Sequence, residues 1–208
     1  MRSKHSTTSL SVLVSFLIAG TISAQDVRPT IPEVLTGEGK SLGGFMTVPS
    51  GPTPTLTEIL GDADTVVRGI VGESRSYLSD DQRDVYTDYS ILNPIFLYQA
   101  EMVTSTRPGV MPTVTVTLLG GTIKFNGLTY TSQVMALPPL EPGTECLFLL
   151  KRIGDKYRIA GTFYGAFRVA ASKLVPLTRK EGFASEYHEM PAIQATEDIV
   201  ALLRALRR

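Results

Sequence analysis

Cysteine occurs once in this 208-residue chain, at position 146, and histidine only twice, at 5 and 188. A single cysteine excludes an intrachain disulfide. One cysteine and so few imidazoles almost exclude a four-ligand His/Cys zinc site. An excess of one charge is also missing. Lys plus Arg and Asp plus Glu each total 20, so no net charge points to nucleic acid or an anionic membrane. No apolar stretch reaches the roughly 20 residues that span a bilayer; the N-terminal run LSVLVSFLIAG has about eleven.

A phosphate-binding loop is lacking as well, although residues 36–44, TGEGKSLGG, contain Gly-Lys-Ser. A P-loop needs a glycine separated from that triplet by four residues, between a strand and a helix. Val34 stands at the glycine position, Pro29 and Pro32 precede it, and Gly43-Gly44 would break a following helix. Without a strand–helix frame the amides do not converge on a phosphate.

The N-terminus reads as a targeting segment. Arg2 and Lys4 precede LSVLVSFLIAG, and small residues follow to Ala24. That order predicts a signal peptide over residues 1–24, cleaved after Ala24. Gln25 follows, so a lipoprotein cysteine is not at the cut. Removing 1–24 takes two bases and no acid from the 20 of each, a formal net charge of −2. The expectation is a secreted or periplasmic protein. Small eukaryotic secreted domains usually carry several disulfides, so a bacterial origin fits better.

At 43% hydrophobic residues the chain can build one modest core. Residues 25–54 read as a Pro/Gly-rich linker, without helical or strand period. Residues 55–175 read as the folded domain. TLTEILGDAD gives a short helical turn, with Thr57 as cap and Gly61 as stop. Strands follow at 65–74, with Gly69 a bulge or bend, and at 85–99, where Pro94 requires an edge or bulge. In 112–121, Val114, Val116 and Leu118 face inward and alternate with threonines. Asn126-Gly127 predicts a type I′ hairpin. TECLFLLKRI, 144–153, reads as a buried strand, turning at Gly154-Asp155 into 156–169. No helix long enough for a crossover intervenes. The expected class is all-β: a small five- or six-stranded OB-like barrel. Residues 176–208 form a C-terminal extension ending in an amphipathic helix. Thr196 caps it, Ile199, Leu202, Leu203 and Leu206 form its apolar stripe, and Glu197 and Asp198 sit at its positive end.

The order DADTVVRGIVGES, a long strand, TVTVTLLGG, LEPGTECLFLL and a Tyr-rich closing hairpin is similar to uncharacterised exported bacterial proteins. It also resembles, more distantly, the netrin-like module of metalloproteinase inhibitors. Ala63, Asp64, Val66, Gly69 and Val71 carry the match, over about half of the chain. The resemblance implies an OB-type barrel. Those inhibitors chelate zinc through a mature N-terminal cysteine, which this chain lacks, so it implies a fold and not that mechanism.

No residue is assigned as catalytic, and no metal or cofactor is expected. His188 lies in SEYHEMPA; a His-Glu-x-x-His helix would need histidine where Ala192 stands, and Pro191 would disrupt it. GESRS, 72–76, approaches a nucleophile elbow but ends in Ser76 without a helix behind it. Asp80, Asp81 and Asp84 lack calcium-loop spacing and a sixth-position glycine. Cys146 reads as a small buried hydrophobe. The candidate interaction surface is Tyr86, Tyr89, Tyr130 and Tyr164 on strands, with Ile199, Leu202, Leu203 and Leu206 on the terminal helix. The reading is a non-enzymatic binding domain for a protein or envelope component, with no nucleic acid. Two others stay open: an enzyme whose Asp62, Asp64, Asp80, Asp81 and Asp84 converge in one pocket, and an envelope-associated structural protein acting through the C-terminal helix.

Overall fold

The computed structural model describes residues 30–33, the backbone of 42–46, and residues 52–100, 114–134, 137–178, 187 and 190–207. Ten strands and two helices are present among them, besides a helical stretch at 31–33. The strands are β1 (Leu42–Met46), β2 (Thr65–Leu78), β3 (Val85–Gln99), β4 (Val114–Leu119), β5 (Gly121–Phe125), β6 (Leu128–Val134), β7 (Glu145–Ile153), β8 (Lys156–Ile159), β9 (Ala166–Ala170) and β10 (Lys173–Pro176). The helices are α1 (Leu56–Asp62) and α2 (Ala192–Leu206). The protein is mostly β, as the sequence predicts, but the expected five or six strands become ten. Part of the increase comes from the 156–169 stretch, which splits around a turn at 160–165, and from β10, which extends it as a hairpin. Part comes from the linker, where Leu42–Met46 forms β1 instead of lying outside the strand pattern.

Two sheets result. The larger has the order β10-β9-β7-β2-β3-β4-β8, and the smaller β1-β6-β5. In the large sheet only the β4–β8 contact is parallel, and it is two rungs long, Val116 with Tyr157 and Thr117 with Arg158. β7 pairs with β2 along one edge; its other edge serves β9 at Cys146–Phe148 and β8 at Leu150–Ile153.

Five consecutive residues of β7, Cys146 to Leu150, are buried. A strand covered on both faces reads as a continuous apolar run, and α1 packs on β7 while α2 packs on α1 and β10. The bend expected at Gly69 is real. The β2–β3 register shifts between Arg68 and Ile70, opposite Asn93 and Pro94, and a Cβ on Gly69 would stand 3.0 Å from the Leu92 carbonyl oxygen. Pro94 therefore sits at a bulge, where its missing N–H costs no ladder bond. Asn126 (φ 49°) and Gly127 (φ 80°) make the predicted turn between β5 and β6.

The helix ends differ from expectation. Thr55, not Thr57, caps α1. Its side chain accepts from the Glu58 amide at 3.3 Å, and Glu58 accepts from the Thr55 amide at 2.7 Å, a capping box. α2 starts at Ala192, after Pro191, so Thr196 lies inside it and donates to the Ala192 carbonyl at 2.6 Å. Glu197 and Asp198 are consequently outside the first turn. Arg207 reaches back to donate to the carbonyls of Gly61 (3.2 Å) and Ala63 (2.7 Å), satisfying acceptors at the end of α1.

Cys146 is fully buried, and burial pushes its thiol from 9.0 up to about 12. Burial raises the phenols of Tyr86, Tyr89 and Tyr157 in the same way. The unfolded chain releases these protons first. Stability is therefore complete below about pH 9 and falls as pH rises toward 12, by up to about 4 kcal/mol from the thiol alone. Urea titrations at pH 7 and pH 10.5 should show this loss, and Cys146→Val should reduce it. A native thiol that maleimide labels as fast as a free peptide would refute the burial argument.

Candidate functional site

Where β2 has run past β7, it and its partner β3 carry hydroxyl residues at alternate positions. Ser74 and Ser76 share one face of β2, and Thr87 and Tyr89 share the facing side of β3. The register places Ser74 opposite Tyr89 and Ser76 opposite Thr87. On the small sheet Thr122 stands opposite Thr131, and Gly121 opposite Ser132. These four pairs line a cleft of about 570 Å³ between the β5–β6 hairpin and the large sheet. Leu118 and Leu119 of β4, Gly120 just after it, Gln133 and Val134 of β6, and Leu137, Pro138 and Pro139 complete the described lining. Every described lining side chain is uncharged.

The chain turn from β4 into β5 brings the two sheets together. Gly120 and Gly121 have φ of 99° and 141°, which a residue with a Cβ rarely adopts. A Cβ on Gly121 would collide with Thr87 Oγ1 and lie 2.5 Å from Ser76 Oγ. The Thr87 hydroxyl donates to the Gly120 carbonyl at 2.6 Å, Ser76 Oγ and Thr87 Oγ1 are 2.8 Å apart, and the Thr122 amide donates to Ser76 Oγ at 3.3 Å. Thr122 Oγ1 and Thr131 Oγ1 are 3.0 Å apart.

A second polar cluster lies on the other face of the β2–β3–β4 strands. The Asp88 carboxylate accepts from Lys156 Nζ at 2.7 Å, Thr117 at 2.6 Å and Tyr77 at 3.2 Å. Burial alone would raise this carboxyl, but the hydrogen bonds from Lys156 and Thr117 outweigh it and hold Asp88 below its ordinary value. Lys156 also stands 5.0 Å over the Tyr77 ring. All four groups satisfy one another, and the cluster fastens β8 beside β4.

Of the eight residues in the predicted interaction surface, only Tyr89 lines the cleft, and it is buried. Tyr164 is buried in the turn before β9 rather than on a strand. Tyr86 is half-buried against Tyr77, ring centroids 6.2 Å apart. Tyr130 packs beside Ile31 and Val85 in a separate small cluster. On α2, Ile199 and Leu203 are buried, and Leu202 and Leu206 are exposed. The eight do not form one surface. The five aspartates do not converge either. Asp62 bonds Arg158 at 2.9 Å and the Gly161 amide at 3.0 Å, and Asp64 meets Lys151 and the Arg152 amide. Asp80, Asp81 and Asp84 lie in the loop at the far end of β2. Among the described residues, no group of three His, Cys, Asp or Glu is close enough to hold a metal. His188 and residues 36–41 of the Gly-Lys-Ser stretch lie outside the described residues.

No protein-family model matches this chain, and no curated protein or solved structure is detectably similar to it. The geometry has to carry the functional reading. No helix among the described residues is long and apolar enough to cross a membrane, which says nothing of strands. The sequence drew attention to Ser74 and Ser76 only through GESRS, an incomplete match to a nucleophile elbow. The signal that would have found the cleft is their alternation with Thr87 and Tyr89 across the hairpin, followed by Gly-Gly-Thr.

Proposed function

We propose that this protein is an exported, non-enzymatic binding domain whose site is the cleft between the β5–β6 hairpin and the large sheet. The observation that carries the reading is that cleft: preformed, partly apolar, lined by paired hydroxyls and by no charged side chain among the described residues. Binding sites have this character. General acid–base or nucleophilic chemistry draws instead on a titratable group beside the reacting atom.

For the scaffold we propose an OB-like barrel of five strands. The pairings β2–β3–β4–β8–β7 return to β2, with β4 and β8 parallel, and the netrin-like resemblance of residues 63–71 points the same way. In this reading β5–β6 is a hairpin inserted before the fourth barrel strand. The export leader at 1–24 rests on its charge, length and exit residues.

The test uses the purified protein immobilised and exposed to envelope and medium extract of its own source. Three forms are compared: wild type, the cleft variant Thr122→Val/Thr131→Val, and the helix variant Leu202→Ala/Leu206→Ala. The expected result is a component retained saturably by wild type and the helix variant and lost from the cleft variant. Retention lost only from the helix variant would move the site to α2. Retention that none of these changes affects would overturn the cleft as the site.

A further inference from the structure

Resting on that reading of the cleft, we infer that its ligand is an uncharged, polyhydroxylated chain: a neutral glycan. Proton direction decides what the wall can offer. A threonine hydroxyl has one proton and two lone pairs, and Thr87 uses its proton on the Gly120 carbonyl. In the 2.8 Å contact with Ser76 it can therefore only accept. Ser76 is the donor there and accepts in turn from the Thr122 amide. The result is a one-way relay, Thr122 N–H to Ser76 to Thr87 to Gly120 C=O, in which each bond polarises the next. Ser76 keeps one lone pair for a ligand.

The second pair is balanced differently. Between Thr122 and Thr131 one hydroxyl proton closes the 3.0 Å contact, leaving one proton and three lone pairs. The wall thus offers donors and acceptors a few ångströms apart, which is the pattern of a sugar hydroxyl. Leu118, Val134, Leu137, Pro138 and Pro139 supply apolar surface opposite, suited to the C–H faces of a sugar ring. An anionic or cationic ligand would give up hydration here and meet no counter-charge among the described lining. The volume of about 570 Å³ lies within the ~300–1,000 Å³ of small-ligand sites.

An extended peptide is the competing occupant, and it would bind by adding a strand. Of the two small-sheet strands that line the cleft, β6 is paired on both sides. β6 pairs with β1 on the side away from β5, and on the outer edge of β5 the Thr122 amide is turned onto Ser76. Recognition is left to side-chain hydroxyls.

The experiment titrates the purified protein with neutral oligomers of glucose, galactose, mannose and N-acetylglucosamine, with an acidic polyuronate and with a single-stranded oligonucleotide, by calorimetry and ligand-observed NMR. Thr122→Val/Thr131→Val removes both partners of one hydrogen bond, a change that leaves folding nearly neutral, and circular dichroism checks it. One neutral oligomer should bind, and the double variant should weaken it about tenfold or more, while Leu202→Ala/Leu206→Ala should leave it unchanged. No neutral oligomer binding at about 10 mM, where a Kd of ~1 mM would already saturate, overturns the inference. So does binding that the double variant does not weaken, or tighter binding of the polyuronate or oligonucleotide. If a protein from the envelope extract is lost from the double variant while no saccharide binds, the glycan inference fails and the cleft remains a binding site. If neither is seen, both readings fall.

Discussion

Gly121→Ala should be among the most destabilising single changes in the protein, costing about 3–5 kcal/mol. Two penalties add. At φ 141° a residue with a Cβ is strained by about 1–3 kcal/mol. The new Cβ would also drive into the Ser76–Thr87 hydroxyl pair. That pair cannot give way without breaking the Thr87 bond to the Gly120 carbonyl, which would leave a buried hydroxyl short of its partner. For a domain of this size the melting temperature should fall by roughly 10 °C or more. Gly127→Ala provides the contrast. Gly127 also has positive φ, but nothing lies within 4 Å of its Cβ position, so the cost should stay near ~1 kcal/mol. Equal losses for the two variants in urea titrations would show that close packing at the β4–β5 turn does not matter.

The second large effect is expected on α2. Leu203→Ala should cost about 2–4 kcal/mol, because Leu203 is fully buried with Ile199 and truncation leaves a cavity as well as losing transfer energy. Leu202→Ala should change stability by less than ~0.5 kcal/mol, since Leu202 is 46% exposed. The adjacent residues differ because the helix faces the core with Ala192, Ala195, Thr196, Ile199, Val200 and Leu203. Thermal melts of the two variants check this directly. A Leu202 effect as large as that of Leu203 would mean that the helix is rotated from this position.

The split between buried Ile199 and Leu203 and exposed Leu202 and Leu206 shows why the stripe was only half legible in the sequence. Ile199, Leu202, Leu203 and Leu206 have correct helical spacing, and hydrophobicity cannot choose between two overlapping faces of the same helix. The choice was made by alanines and a threonine earlier in the helix, small enough to approach α1 and β10 closely. The same limit applied at the β9–β10 hairpin. Its turn residues, Ala171 (φ 48°) and Ser172 (φ 64°), adopt a conformation usually left to glycine or asparagine. Local sequence carried no turn signal there, and pairing across the hairpin imposed the turn.

Other features could be read directly from the chain, because short-range sterics fix them. The β3 span of Val85–Gln99, the inward Val114, Val116 and Leu118, the Asn126-Gly127 turn and the bulge around Gly69 and Pro94 follow from period-two burial, positive φ and a missing N–H. The burial of Cys146 followed from its apolar run. The cleft could not be read in this way. Its hydroxyls come from strands up to 58 positions apart, Ser74 to Ser132, and each alone reads as an ordinary exposed strand residue. They become one site only because Gly120 and Gly121, lacking Cβ atoms, let the β5–β6 hairpin approach to hydrogen-bonding distance of β2 and β3.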